Sequence, residues 1–318
     1  MTQSHGKLYT LSLCPAIDTT LYLDHLEPVR ELAARREHSE AGGKGANTAA
    51  ALTLLGVDCA CICLMGEENA GLFLRLLDAA GVRCIPIPLP GRIRENLSLE
   101  TPGGQYRVMR QGFRADRRAL ERLELVLRER IRLGDTVMVG GKLPEGIEAD
   151  DLAELCGMLA SLGASVTLDT AMVRPRQVER IRPLVMKPNR QELGEITGLP
   201  VESLEACIRA ARLLREHGAV RVLASLDRDG AFLLDDAGVL LARAPRVEVR
   251  SSVGAGDAML SWFTAGLLEG LSREELLRRA VAAGSAACLH YGTRAPRPEE
   301  VRLLLEQVRL EELTNLPA

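Results

Sequence analysis

Thr136-Val137-Met138-Val139, then Gly140-Gly141-Lys142-Leu143-Pro144, then Ala149–Leu162 and Ser165-Val166-Thr167-Leu168 read as strand, turn, amphipathic helix and strand. Short apolar runs alternating with helix-period runs are the pattern of a mostly parallel sheet covered on both faces. The alternation extends outward in both directions. Further strands are expected at Leu8–Leu13, Cys59–Met65, Leu184–Met186 and Val220–Ser225. Helices are expected at Ala46–Leu55, Ala70–Ala80, Arg117–Arg132, Gln191–Thr197, Leu204–His217, Gly256–Glu269, Arg273–His290 and Pro298–Val308. Gly56, Gly81, Gly163, Gly198 and Gly218 stand where helices end. The expected fold is α/β, a single unit over residues 1–318 with helices on both faces of the sheet.

Two regions break the alternation. Residues 19–40 and 93–110 read as short alternating strands without helices between them. The second holds Pro102-Gly103-Gly104 between Asn96–Glu100 and Gln105–Met109, a hairpin signal. Together these stretches are expected to form a small β lid over the strand ends. Their open edges could be covered by lid-to-lid pairing into a homodimer.

The chain has 318 residues, 47% of them hydrophobic, 26% charged, with a net charge of −3. It can therefore bury a large core, and it lacks the basic excess of a nucleic-acid or membrane-surface binder. No apolar run approaches the roughly 18 residues of a membrane span. The polar start Met1–Lys7, with Pro15 and Asp18 interrupting the next apolar run, speaks against a secretory signal. The cytoplasm is the expected compartment. Of the eight cysteines, Cys59, Cys61 and Cys63 alternate along one strand face, as small core hydrophobes do. No Cys-x-x-Cys turn suggests zinc.

Of the 40 basic residues, 36 are Arg and only Lys7, Lys44, Lys142 and Lys187 are Lys. Three of these lysines sit in Gly- or Pro-marked turns. A compact ammonium beside turn N–H groups suits phosphate, though turns are also simply where exposed lysines fall.

The P-loop pattern, the dinucleotide Gly-x-Gly-x-x-Gly after a strand, the Gly-x-Ser-x-Gly elbow and the His-x3-His pair are all absent. What remains is Ser251-Ser252-Val253-Gly254-Ala255-Gly256-Asp257-Ala258, leading straight into a helix. Its glycines and the helix start make an anion hole. Asp257 would lie beside the bound anion, where it could orient a hydroxyl and take its proton. An ordinary Gly-rich turn with a favourable N-terminal carboxylate has the same spelling. Gly42-Gly43-Lys44-Gly45-Ala46-Asn47 opens a second small-residue helix. Two such starts in one chain can hold two phosphate-bearing ligands facing each other. Asn189 and Glu192 lie one helical turn apart, spaced either to steer water on Mg²⁺ or to cap their helix.

With these motifs in order along nearly its whole length, the chain resembles the ribokinase-type (PfkB) sugar kinases. Within them it resembles the branch of phosphofructokinases, 1-phosphofructokinases and tagatose-6-phosphate kinases. Pro15-Ala16-Ile17-Asp18, Gly42–Asn47, Arg94-Glu95-Asn96, Lys187-Pro188-Asn189 with Glu192, Ser252–Asp257 and Gly292-Thr293-Arg294 carry the likeness. The resemblance implies a ribokinase-like fold and transfer of the γ-phosphoryl of MgATP to a ketohexose phosphate. Fructose 1-phosphate and fructose 6-phosphate, both giving fructose 1,6-bisphosphate, and tagatose 6-phosphate are the candidate acceptors. It also implies residue roles. Asp257 would be the base, with Gly254, Ala255 and Gly256 presenting N–H groups to the moving phosphoryl. Asp18, Gly42, Gly43, Lys44, Asn47, Arg94, Asn96 and Lys142 would bind the sugar phosphate. Lys187, Ser225, Asp227, Gly230, Val253 and Gly292 would line the nucleotide site. Asn189 and Glu192 would hold Mg²⁺ through water.

Three departures stand out. Cys14 replaces an Asn before the first Pro. Gly140-Gly141-Lys142-Leu143-Pro144 stands for Ser-Gly-Ser-Leu-Pro, so an ammonium replaces a hydroxyl. Ser225-Leu226-Asp227 stands for Ser-Leu-Gly, putting a carboxylate near the nucleotide. Two other functions compete. A kinase for an unphosphorylated sugar or nucleoside would leave Lys44, Arg94 and Lys142 without a phosphate. A non-catalytic sugar-phosphate sensor would have no need of Asp257, Gly254, Gly256, Asn189 and Glu192.

Overall fold

The computed structural model describes residues 6–28 and 31–313. The expected alternation folds into one ten-stranded sheet. Across it run β14 (Arg309–Leu313), β13 (Gly238–Arg243), β12 (Ala231–Asp235), β11 (Val222–Ser225) and β10 (Val185–Met186). Then follow β9 (Ser165–Asp169), β8 (Thr136–Gly140), β1 (Leu8–Ser12), β4 (Cys59–Gly66) and β5 (Arg83–Leu89). The seven strands from β11 to β5 pair in parallel; β12, β13 and β14 add an antiparallel edge.

Helices cover both faces, because parallel strands are buried on both sides and each crossover lays a helix back on the sheet. Alternate residues of β1 separate the two cores. Tyr9 and Leu11 join the cluster beneath Arg117–Arg130, Ala149–Ser161 and Leu204–Glu216. Leu8 joins the opposite cluster beneath Lys44–Leu54, Ala70–Ala79, Ala255–Leu268 and Arg273–Ala287. Cys59, Cys61 and Cys63 belong to that second core, on one face as their spacing requires. The charge-dense helix Arg117–Arg130 buries the stripe Leu120, Leu123 and Leu127, with Ile131 just beyond it.

The lid is a separate four-stranded sheet, in the order β3 (Arg36–Gly42), β2 (Ala16–Tyr22), β6 (Arg94–Thr101) and β7 (Gly104–Val108). The β6–β7 hairpin turns at Pro102-Gly103, as its turn signal requires. The first lid segment differs from its expected bounds of 19–40. β2 starts at Ala16, just after the end of β1, and β3 runs on to Gly42, at the start of the helix Lys44–Leu54, so both strands carry residues to the ends of the central strands. The register places Asp18 of β2 beside Asn96 of β6 and opposite Glu40 of β3.

Candidate active site

Helix Ala255–Leu268 begins at Gly254, whose φ of 82° lies in the left-handed region. A Cβ there would sit 3.2 Å from the Thr293 Cα, so backbone and packing both call for glycine. No side chain caps this helix start; its Ala255 N–H makes a long 3.4 Å bond to the Ser252 carbonyl, and an uncapped start of this kind suits an anion. Asp257 lies in that turn, only 7% exposed. Its Oδ2 accepts a 2.8 Å hydrogen bond from Asn47 Nδ2, across 210 residues of sequence. Asn47 belongs to helix Lys44–Leu54, which starts at Gly43 (φ 95°), likewise without a side-chain cap. One hydrogen bond thus joins the two Gly-rich helix starts picked out by the sequence.

A charge cluster surrounds them. Lys44 Nζ donates to Asp169 Oδ1 at 2.6 Å and to Glu192 Oε1 at 3.2 Å. Lys187 Nζ approaches the same Asp169 oxygen at 3.4 Å, with both side chains almost fully buried. Burial opposes the Lys44 charge, but the Asp169, Glu192 and Asp257 carboxylates outweigh it and hold the ammonium above its ordinary range. Burial likewise opposes ionisation of Asp169, but Lys187 and Lys44 overcome it and its pKa falls. Asp257 goes the other way. Burial, then the Asp169 charge, push it up to about 6, against the pull of Lys44, the Asn47 bond and Lys187. The result is one carboxylate raised to about 6 beside another, Asp169, held down, the split that acid–base chemistry uses.

Asn189 and Glu192 form a reciprocal capping box. Asn189 Oδ1 accepts from the Glu192 N–H at 2.8 Å, and Glu192 Oε2 accepts from the Asn189 N–H at 2.9 Å. The helix-cap reading of this pair therefore holds, and it leaves Glu192 Oε1 turned to Lys44. Ser225 lies beside Asn189 through a parallel bridge, with its N–H on the Pro188 carbonyl. Asp227 has a φ of 52°, and Gly230 turns the chain back with a φ of 102°. The Asp for Gly exchange at 227 is sterically admissible, since Asp tolerates the left-handed region better than most residues.

On the lid side, Asn96 Nδ2 donates to Asp18 Oδ1 at 2.6 Å. A Cβ at Gly42 would collide with the Asp18 carboxylate. Arg94 Nε donates to the Pro15 carbonyl at 3.3 Å, which holds the guanidinium beside Cys14. Burial raises the Cys14 thiol pKa while Arg94 and Lys142, both close enough to act on it, pull it down. Lys142 is exposed. Lys44 differs from these two cations: its ammonium is paired with Asp169 and Glu192.

The remaining nucleotide-side glycine, Gly292 (φ 72°), packs against Glu40 of the lid. Val253 donates its N–H to Ser251 Oγ at 3.2 Å in the approach to the helix start. Sequence reasoning missed Asp169 and Glu40. Asp169 did have a signal: it closes the apolar run Ser165–Leu168 at the carboxyl end of a parallel strand, where such folds bind ligands. A larger cavity, about 520 Å³, opens at the opposite end of the sheet between Lys7, Tyr9, Arg130 and Arg132. There Arg132 serves the Arg128 and Ile131 carbonyls at a helix C-terminus, a setting that disfavours an anion.

A mostly parallel sheet beneath a small β lid, with a buried carboxylate at an uncapped helix start, is the build of a sugar kinase. The family model described as pfkB family carbohydrate kinase matches residues 9–300, and the chain belongs to this family. It is 34% identical over 304 residues to the 1-phosphofructokinase of Xanthomonas campestris pv. campestris, covering 92% of this chain and 94% of that one. It is 30% identical over 294 residues to the ATP-dependent 6-phosphofructokinase isozyme 2 of Escherichia coli, covering 91% and 94%. The crystal structure of Escherichia coli phosphofructokinase-2 in complex with potassium superposes with a TM-score of 0.87 at 28% identity, covering 95% of this chain and 99% of that one.

Proposed function

We propose that this carbohydrate kinase transfers the γ-phosphoryl group of ATP to a hydroxyl of a ketohexose phosphate, with fructose 1-phosphate as the first candidate. Fructose 6-phosphate and tagatose 6-phosphate are the other two. The observation that carries the reading is Asp257, raised to about 6 at the uncapped helix start. Its Oδ atoms take the proton as the hydroxyl oxygen bonds to the γ-phosphorus and ADP leaves. The N–H groups at Gly254, Ala255 and Gly256 stabilise the equatorial oxygens, and Lys187, whose Nζ lies 3.0 Å from a Cβ built on Gly256, adds positive charge there. Asp18 and Asn96 hold sugar hydroxyls, while Arg94 and Lys142 take the phosphate already present. Fructose 1-phosphate is placed first because relatives named 1-phosphofructokinase reach 34% identity to this chain, although others of that name, at 27–29%, lie below the 30% of the 6-phosphofructokinase.

Mg²⁺ fits the residues present. Asp169, Glu192 and Asp257 carry one more negative charge than Lys44 and Lys187 supply, and their oxygens are the hard donors Mg²⁺ takes. Asn189 and Glu192 would hold the ion through water. Bound with ATP, the ion would neutralise phosphate charge. A homodimer joined through the lid would cover Tyr106 (52% exposed) and Val108 (50% exposed) of β7. ADP release measured over the three ketohexose phosphates, free fructose and nucleosides tests the function. Turnover on free sugar or nucleoside alone, or none on any acceptor, would overturn it.

A further inference from the structure

Glu40 joins the lid to the loop behind the helix start. Its Oε2 accepts from the Thr293 N–H at 3.2 Å and from Thr293 Oγ1 at 3.1 Å, across 253 residues of sequence. Its other oxygen lies 3.1 Å from His38 Nε2 on the same strand, which fixes the direction of the carboxylate. The contact is tight on both sides. A Cβ at Gly292 would come within 2.7 Å of Glu40 Oε2, and one at Gly254 within 3.2 Å of the Thr293 Cα and carbonyl oxygen. A short chain of contacts therefore runs from lid strand β3 through Glu40, Thr293 and Gly254 to the first turn that carries Asp257. The same strand continues two residues beyond Glu40 to Gly42, which packs on Asp18.

We infer that Glu40 is a positioning residue that couples the lid to the nucleotide side of the site, so that sugar phosphate held by the lid strengthens nucleotide binding. The inference rests on the kinase reading above and adds a residue that reading does not use. A ligand that engages Asp18, Asn96 and Arg94 fixes β2 and β6, and β3 moves with them because it is hydrogen-bonded to β2 along seven residue pairs. Glu40 then holds Thr293 against Gly254, ordering the loop before ATP arrives. Such coupling is reciprocal, and its usual size is about 5–150-fold in affinity. Charge-assisted hydrogen bonds from a main-chain and a side-chain donor of one residue suit Glu40 for this work: the carboxylate cannot keep both unless strand and loop stay in register.

The test measures binding of a non-hydrolysable ATP analogue by calorimetry, with and without saturating fructose 1-phosphate, for wild type, Glu40→Ala, Glu40→Gln, Thr293→Val and Glu40→Ala/Thr293→Val. Wild type should bind the analogue at least about 5-fold tighter with sugar phosphate present. Glu40→Ala should bring that ratio below about 2 while sugar-phosphate affinity measured alone changes less than 2-fold. Glu40→Gln keeps an acceptor and should recover part of the ratio. Thr293→Val loses one of the two donors and should fall between, and the double variant should be no worse than Glu40→Ala, because the two residues share one contact. An unchanged ratio in both Glu40→Ala and Thr293→Val, or additive losses in the double variant, overturns the inference. A wild-type chain that binds both ligands without coupling overturns it while leaving the kinase reading standing. A wild-type chain that binds neither ligand overturns the kinase reading, and the inference with it.

Discussion

The two ends of the site are built on opposite electrostatic plans. At the strand ends beneath the helix starts, Lys44, Lys187, Asp169 and Glu192 are paired with one another before any ligand arrives. On the lid side, Arg94 makes a single 3.3 Å contact with a backbone carbonyl, and Lys142 is exposed. Paired charges in a buried place hold their geometry, so what they offer a ligand is a fixed field. Cations at a half-open rim give up little and can take most of their interaction from a phosphate. On the proposed function, the inner end would position and the rim would select.

The sharpest way to break this contrast is at Asp257. Asp257→Asn keeps the Asn47 partner but cannot take a proton, and turnover should fall by about 10²–10⁴-fold with ligand affinities little changed. Ionised Asp257, held at about 6 rather than its ordinary 3.8, costs the folded chain on the order of 3 kcal/mol. The folded state binds this proton more tightly than the unfolded one. The wild type therefore loses stability through this group as pH rises from 3.8 to about 6, and gains it back on acidification. The Asn variant should consequently be the more stable protein above pH 6, with the difference vanishing near pH 4; thermal melts across that range check it. The same proton sets the activity profile: wild-type kcat/KM should decline on an acid limb centred near pH 6, and a flat profile down to pH 5 would remove Asp257 as the base.

A second break lies in the inner pairs. Lys187→Met leaves Asp169 with one ammonium instead of two in a nearly dry setting, and should cost about 3–5 kcal/mol of stability by urea unfolding. At the rim the same kind of change should leave stability untouched. Lys142→Ser should raise the KM for the best sugar phosphate by roughly 10–150-fold, from the loss of one charge-assisted contact. A rise under twofold would mean that the ammonium points into water. The smallest effect is expected at Asp227, where Asp227→Gly relieves a left-handed side chain and should stabilise the chain by about 0.5–1 kcal/mol.

Much of this plan was legible in the sequence. The parallel alternation, both Gly-rich helix starts and the Pro102-Gly103 hairpin could be read because each has a local physical signature. β5 could not, because Pro86 and Pro88 argue against a strand; it exists because it lies at the sheet's edge, where a missing N–H costs little. β14, Arg-Leu-Glu-Glu-Leu, has the composition of a helix and becomes a strand only by pairing with β13. The helix Pro175–Ile181 is too short to show a period. In the site, residues within Gly-rich motifs were visible and lone carboxylates were not. Asp169 and Glu40 gain meaning only from partners far away in sequence, Lys44 and Lys187 for one, Thr293 for the other. The capping box at Asn189 and Glu192 fits the spacing equally well with or without a metal nearby.

The hydrogen bond from Asn47 to Asp257 also has a consequence during synthesis. Its two ends leave the ribosome 210 residues apart, an interval of roughly 10–40 s at ordinary elongation rates. Through that interval the growing chain has one of the two Gly-rich helix starts but neither the other nor its carboxylate. The first act of catalysis waits until the last third of the polypeptide has folded back on the first.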